Sequence, residues 1–144
     1  MRLAQSARRR RSESARAPES RMKRILVVEH NELGRDVLVR RLTAKGFDVL
    51  VASNGDEGLH LAETSRPDLI LMDLHMPLLD GWECCRRLKA SPATRDIALI
   101  AVTARARAND RNRAMETGFD EFEAKPVDFT ALLAKVEQLL QVAA

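Results

Sequence analysis

The chain has 144 residues, 45% hydrophobic but only 3% aromatic, so it can build one aliphatic core and has little room for a second domain. Its net charge of +3 is unevenly spread: residues 1–21 hold seven Arg and two Glu, and the other 123 hold 17 Lys and Arg against 19 Asp and Glu. The expected folded part is therefore mildly acidic, no apolar run approaches the about 18 residues of a membrane span, and the basic start lacks the apolar stretch of an export signal.

Residues 1–21, MRLAQSARRRRSESARAPESR, lack apolar periodicity and predict a disordered basic tail. Met22 opens MKRILVVE, a natural beginning for a first strand. The tail is accordingly read as inert or as an artefact of start-site choice, in preference to an arm for nucleic acid or acidic lipid. The folded domain is expected over residues 22–144.

Ile25–Val28 is a continuous apolar run and predicts the first strand. Leu33–Lys45 is a helical pattern carrying Val37, Leu38 and Leu42, and Gly46 stops it. Phe47–Val51 predicts a second strand. Asn54 is a cap for a helix with Leu59, Leu61 and Ala62 that ends before Pro67. Leu69–Met72 is a third, wholly apolar strand, followed by a polar loop over Asp73–Gly81 and a helix over Trp82–Ala90. On that helix Cys84 and Cys85 are adjacent, so they form neither a disulfide framework nor a zinc site. One is expected to pack inward and the other to lie near the surface, and a reducing cytoplasm suits both. Ile97–Val102 predicts the fourth strand and Ala108–Thr117 an Arg-rich helix broken by Gly118. Phe119–Ala124 is a weak fifth strand, Lys125-Pro126 a turn, and Asp128 caps a last amphipathic helix with Leu132, Leu133, Val136, Leu139 and Leu140 on one face. His60 is expected at a surface helix position.

Five strand–helix units with continuous apolar strands imply a parallel sheet covered by helices on both faces. The choice is between a flavodoxin-like doubly wound sheet and half of a Rossmann fold. A dinucleotide site wants G-x-G-x-x-G after the first strand, and the residues there are Glu29-His30-Asn31-Glu32-Leu33-Gly34, which excludes that reading.

Ligands of open α/β sheets bind at the carboxyl ends of the strands. The first strand ends in Glu29 and His30, the third in Asp73, the fourth in Thr103-Ala104, and the fifth near Lys125-Pro126. Any one polar strand end is ordinary. Two carboxylates, a hydroxyl and an ammonium on one rim form a set suited to phosphoryl transfer. A carboxylate can attack phosphorus, while the ammonium, the hydroxyl and a divalent cation each hold one equatorial oxygen.

The pieces ILVVE (25–29), RPDLILMDLHMPLLDGWE (66–83), IALIAVTA (97–104), GFDEF (118–122) and KP (125–126) together resemble the receiver domain of bacterial response regulators, over residues 23 to about 141. Single-domain members of cell-cycle and chemotaxis phosphorelays look closest. The resemblance implies a flavodoxin-like sheet in strand order 2-1-3-4-5, with Asp73 as phosphoacceptor, Thr103 as switch hydroxyl and Lys125 as partner of the phosphoryl oxygens. It further implies a cis peptide before Pro126, an aromatic switch at Phe122, and magnesium held by Glu29, Asp73 and the backbone carbonyl of His75. A histidine kinase or histidine phosphotransfer protein would be the donor. A downstream protein would read the face made by the fourth helix, fifth strand and fifth helix, through which two copies could also pair. That face includes Arg111 and Arg113, with Arg105 and Arg107 just before it, and suits an acidic protein better than nucleic acid or membrane. No output domain is expected after the last helix, so the expected output is a protein contact or onward phosphotransfer, and the only chemistry expected is the domain's own phosphorylation and dephosphorylation.

His30 departs from the pattern, which places a second metal-binding acid there. Imidazole is a poor ligand for magnesium, so weak magnesium binding is expected. Three consequences stand open: phosphorylation with a weakened metal site, a pseudo-receiver adaptor that works without phosphorylation, or a protonated His30 that replaces the metal's charge. The first is preferred because Asp73, Thr103 and Lys125 are all intact.

Overall fold

The computed structural model describes residues 22–141, and the expectations for residues 1–21 and 142–144 lie outside the described residues. Five strands and five helices alternate: β1 (Arg24–Val28), α1 (Glu32–Ala44), β2 (Asp48–Ala52), α2 (Gly55–Ser65), β3 (Leu69–Asp73), α3 (Gly81–Ala90), β4 (Ala98–Thr103), α4 (Asp110–Thr117), β5 (Glu121–Ala124) and α5 (Phe129–Leu140). The strands form one parallel sheet in the order β2-β1-β3-β4-β5. This is the doubly wound order expected, with a switch point between β1 and β3.

The continuous apolar strands are explained by a core on each face of the sheet, since successive side chains point to opposite sides. Leu26, Val28, Ile70, Met72, Leu99 and Ala101 pack with Ala62, Trp82, Leu88 and Ala114 of α2, α3 and α4. Ile25, Val27, Leu69, Leu71, Ile100 and Val102 pack with Leu38, Leu42, Leu132 and Val136 of α1 and α5.

Four helices begin on a side-chain cap. Asn31, Asn54, Asp80 and Asp128 accept the amides of Gly34, Glu57, Glu83 and Ala131 at 2.8, 2.9, 2.9 and 3.2 Å. α4 lacks one: Asn109 has helical backbone angles and caps nothing with its side chain.

Several boundaries move for one physical reason. Phe47 and Phe119 were expected to open strands, yet their amides donate to Leu42 and Ala114 carbonyls, at 3.3 and 3.0 Å. Each follows a glycine of positive φ, Gly46 and Gly118, and so belongs to the cap of the helix before it. The fourth helix starts at Asp110 instead of Ala108, because Asp110 and Arg107 close a turn ahead of it.

On α1, Leu38 and Leu42 are buried and Val37 is half exposed. One burial expectation, that for the cysteines, is corrected. Cys84 and Cys85 are both fully buried, because α3 is covered on two sides. A Cβ on Gly55 of α2 would meet the Cys84 sulfur at 2.8 Å, and one on Gly118 after α4 would meet the Cys85 sulfur at 3.3 Å. Burial pushes the two thiols up to about 12 and about 11, which leaves them inert packing groups.

Candidate functional site

The carboxyl ends of β1, β3, β4 and β5 meet on one rim. β3 and β4 run in register with Asp73 opposite Val102, and the Lys125 amide donates to the Thr103 carbonyl at 2.8 Å, tying the end of β5 to that of β4. Glu29, Asp73 and Thr103 are buried and Lys125 is half-buried.

Three of the side chains singled out above come together. Lys125 Nζ lies 2.6 Å from Glu29 Oε1 and 3.9 Å from Asp73 Oδ2. The Asn31 amide donates to Glu29 Oε2 at 3.0 Å, so both Glu29 oxygens have partners. The His75 amide donates to Asp73 Oδ1 at 3.2 Å, which fixes the carboxylate plane. Burial, followed by the neighbouring Glu29 charge, pushes the Asp73 carboxyl up to about 6, against the opposing pull of Lys125 and the His75 amide. Above neutral pH the group is still mostly a carboxylate, the form that can act as a nucleophile.

The remaining candidates stand apart from that cluster. Thr103 Oγ1 accepts the Arg105 amide at 3.1 Å and makes no hydrogen bond to Asp73 among the described residues. An amide bond of that kind leaves the hydroxyl hydrogen free to donate. Phe122 is buried in the core beneath α2, α3 and α4. The Lys125-Pro126 peptide bond is cis. The His30 and His75 side chains are exposed on the wall of the cleft. Among the described residues no three His, Cys, Asp or Glu side chains form a group able to hold a metal ion.

Asp73 lies in a cleft of about 580 Å³ with an apolar wall of Leu33, Val37 and Leu38 from α1, closed by Pro126 and Val127. Sequence reasoning missed three supporting groups. Asn31 both caps α1 and holds Glu29. The Arg35 guanidinium donates to the Glu29 carbonyl at 3.0 Å. Gly81 lies so close to the Asp73 carbonyl that any Cβ would collide with it, and its amide donates to the Leu74 carbonyl at 3.0 Å. The Asn31 cap was readable from Asn-Glu-Leu-Gly before a helical run, whereas the other two contacts have no local signature.

A buried carboxylate facing an ammonium at the strand ends beside the switch point of a doubly wound sheet defines a class of protein: a doubly wound α/β domain with an acidic cleft at the carboxyl ends of its strands. The family model described as the response regulator receiver domain matches residues 25–137. The response regulator PleD of Caulobacter vibrioides is 40% identical over 116 residues, 81% of this chain and 26% of that protein. The DNA-binding dual master transcriptional regulator RpaA of Synechocystis is 35% identical over 120 residues, 83% of this chain and 50% of that protein. The chain thus spans a quarter to a half of the length of these relatives. Among solved structures, the receiver domain of the sensor histidine kinase PA1611 of Pseudomonas aeruginosa, which has a magnesium ion in its active-site cleft, superposes with a TM-score of 0.77 at 30% identity, covering 84% of this chain and 99% of that one. The signal receiver domain of a DNA-binding response regulator of Colwellia psychrerythraea gives 0.77 at 30% identity, covering 83% and 98%. This chain belongs to the response regulator receiver domain family of two-component signalling. Receiver domains are generally signalling modules and not enzymes, and they work with histidine kinases and downstream effectors. Among the described residues no helix is long and apolar enough to cross a membrane.

Proposed function

We propose that Asp73 accepts a phosphoryl group from a histidine kinase or a histidine phosphotransfer protein in the cytoplasm, and that phosphorylation changes the affinity of a protein-binding face. The observation that carries this reading is the buried Asp73 carboxylate, set between Lys125 and the His75 amide at the end of β3. An Asp73 oxygen attacks the phosphorus, the bond from phosphorus to the donor breaks, and the electron pair leaves with the donor. Lys125 lies where it can turn from Glu29 to a phosphoryl oxygen, and the Thr103 hydroxyl hydrogen is available to a second one. Thr103 and Phe122 then bias α4, β5 and α5 towards the arrangement a partner prefers, as a population shift. The same face is where two copies of the chain would pair.

The residues at the site suit a weakly held magnesium ion. Glu29 and Asp73 face each other closely enough that the first raises the pKa of the second, a surplus of negative charge that a divalent cation relieves. Magnesium accepts one or two carboxylates and keeps several waters. Glu29, Asp73 and the His75 backbone carbonyl would hold it, and His30 offers only an imidazole from the rim. When bound, magnesium neutralises charge on the transferred oxygens.

The test is incubation with acetyl phosphate, with and without magnesium, followed by intact mass measurement. A single phosphoryl adduct that is missing from Asp73→Asn is expected. No adduct under any condition, including with a histidine kinase as donor, would point to an adaptor that acts without phosphorylation.

A further inference from the structure

The cleft beside Asp73 holds a mixed set of donors, oxygen and nitrogen together. Glu29, His30, Asp73 and His75 all line it. Glu29 is already engaged: Lys125 holds one of its oxygens at 2.6 Å and the Asn31 amide the other at 3.0 Å. Asp73 is held less closely. Its side chain is more than nine-tenths buried, and Oδ1 accepts the His75 amide at 3.2 Å. For Oδ2 the Lys125 ammonium lies at 3.9 Å, beyond hydrogen-bonding range, and no other donor reaches it among the described residues. A buried carboxylate oxygen left open towards a cleft favours a cation there.

The next donor decides the kind of cation. His30 follows Glu29 directly at the end of β1 and is exposed on the cleft wall, where the receiver pattern has a second metal-binding acid. Magnesium binds through oxygen and sheds its waters reluctantly, so the ring adds nothing to its hold. Iron, nickel and zinc accept imidazole nitrogen beside carboxylate oxygen. The side chains as they stand do not close on an ion, since no three of them form such a group among the described residues. Two side chains and one backbone carbonyl suffice for an ion that keeps water in its other positions. The His30 ring is free to turn inward, because it makes no hydrogen bond or ion pair among the described residues.

We propose that this cleft is a site for an imidazole-accepting divalent transition ion of the iron, nickel and zinc kind, held by His30, Asp73 and the His75 backbone carbonyl, with magnesium the poorer occupant. His30 is then the residue that selects the cation, a role that rests on Asp73 and His75 forming the cation side of the acceptor site as proposed above. An acid at position 30 would serve both classes of ion. The imidazole serves only one, so its presence lowers magnesium affinity and keeps a third protein ligand for a transition ion.

The untagged full chain, stripped of metal, is titrated with Ni2+ and separately with Mg2+ at pH 7.5 by calorimetry, and the histidine ring protons are followed by NMR as Ni2+ is added. With three histidines in the chain, each ring signal is assigned by substitution. Wild type is expected to bind one Ni2+ about a hundredfold more tightly than Mg2+, with the His30 ring signals broadened first. His30→Ala is expected to weaken Ni2+ about tenfold and leave Mg2+ unchanged, while His30→Asp tightens Mg2+ about tenfold. Asp73→Asn is expected to weaken both ions, and His60→Ala, exposed on α2, neither. Thermal midpoints of the histidine variants equal to wild type in EDTA show that they fold, as exposed rings allow. Four results overturn the assignment: His30→Ala binds Ni2+ as wild type does, His30→Ala weakens Ni2+ and Mg2+ alike, His75→Ala and not His30→Ala removes tight Ni2+ binding, or Asp73→Asn retains it. Binding is read without a phosphodonor, so its failure is distinct from a failure of Asp73 as acceptor, which acetyl phosphate and intact mass report.

Discussion

The Asp73 carboxyl is raised to about 6 chiefly by burial and secondly by Glu29, so ionising it costs folding free energy. In the unfolded chain the group titrates near 3.8. Its contribution to stability is therefore complete below 3.8, where both states are protonated, and is lost as the pH rises through about 6. A shift of this size corresponds to about 3 kcal/mol at pH 7.5 for a group so buried. Asp73→Asn removes the ionisation and keeps the shape. Urea denaturation in EDTA should show the variant more stable by about 1–3 kcal/mol at pH 7.5, with the gain shrinking towards zero near pH 4. A pH-independent difference would contradict the assignment. Lys125→Ala acts in the opposite direction, since it leaves Glu29 and Asp73 facing each other without their cation. It should cost about 2 kcal/mol at pH 7.5, less than a fully buried pair because the ammonium is partly exposed. Asp73→Asn made in the same chain should recover part of that loss.

Among the elements, α4 is held least firmly. It has eight residues, buries only Ala114, and begins without a side-chain cap after six consecutive exposed residues, Ala104–Asn109. α3, of ten residues, buries Gly81, Trp82, Cys84, Cys85 and Leu88 and is capped by Asp80. The main ties of α4 are the Arg113 guanidinium over the Trp82 ring at 4.1 Å and the Arg111–Glu121 pair at 3.5 Å. Native-state hydrogen exchange should therefore find α4 the least protected of the five helices, opening at a cost several kcal/mol below that of α3. Equal protection of α3 and α4 would show that the two ties hold more than their geometry suggests. The same contrast separates what could be read from the sequence. The five strand–helix units, the Asn54 and Asp128 caps and the polar strand ends Glu29, Asp73, Thr103 and Lys125 were legible, because apolar runs and polar ends are local signals, whereas the strand order came from the family resemblance. The start of α4 was not, because an Arg- and Ala-rich stretch has helical propensity with no core to dock on. The supports of the site were hidden as well. Arg35 and Gly81 act on backbone atoms of Glu29 and Asp73 brought close only by the fold, and the burial of both cysteines depends on α2 and α4 flanking α3.

Over the whole molecule, one sheet divides the aliphatic core into two halves that share a backbone but few side-chain neighbours. Ile70 on β3 packs beneath α2, α3 and α4, and Ile100 on β4 packs beneath α1 and α5. The two are not paired across the strands: Ile70 lies opposite Leu99, and Ile100 opposite Leu71. Both are fully buried. Ile→Val at either position removes one methylene and leaves a small cavity, costing about 1 kcal/mol. Coupling between two such sites comes from shared neighbours or a shared backbone shift, and a small truncation in a rigid central strand provides little of either. The double variant Ile70→Val/Ile100→Val should thus lose the sum of the single losses to within about 0.5 kcal/mol by urea denaturation. Ile25→Val with Ile100→Val is the informative comparison, since both lie in the half-core under α1 and α5. There the two cavities can relax into common neighbours, and a departure from additivity is expected. If the cross-sheet pair coupled as strongly as the same-side pair, the sheet would be passing strain between the halves. It would then be acting as a spring beneath the Asp73 rim, and not as the rigid partition that its buried, fully paired central strands imply.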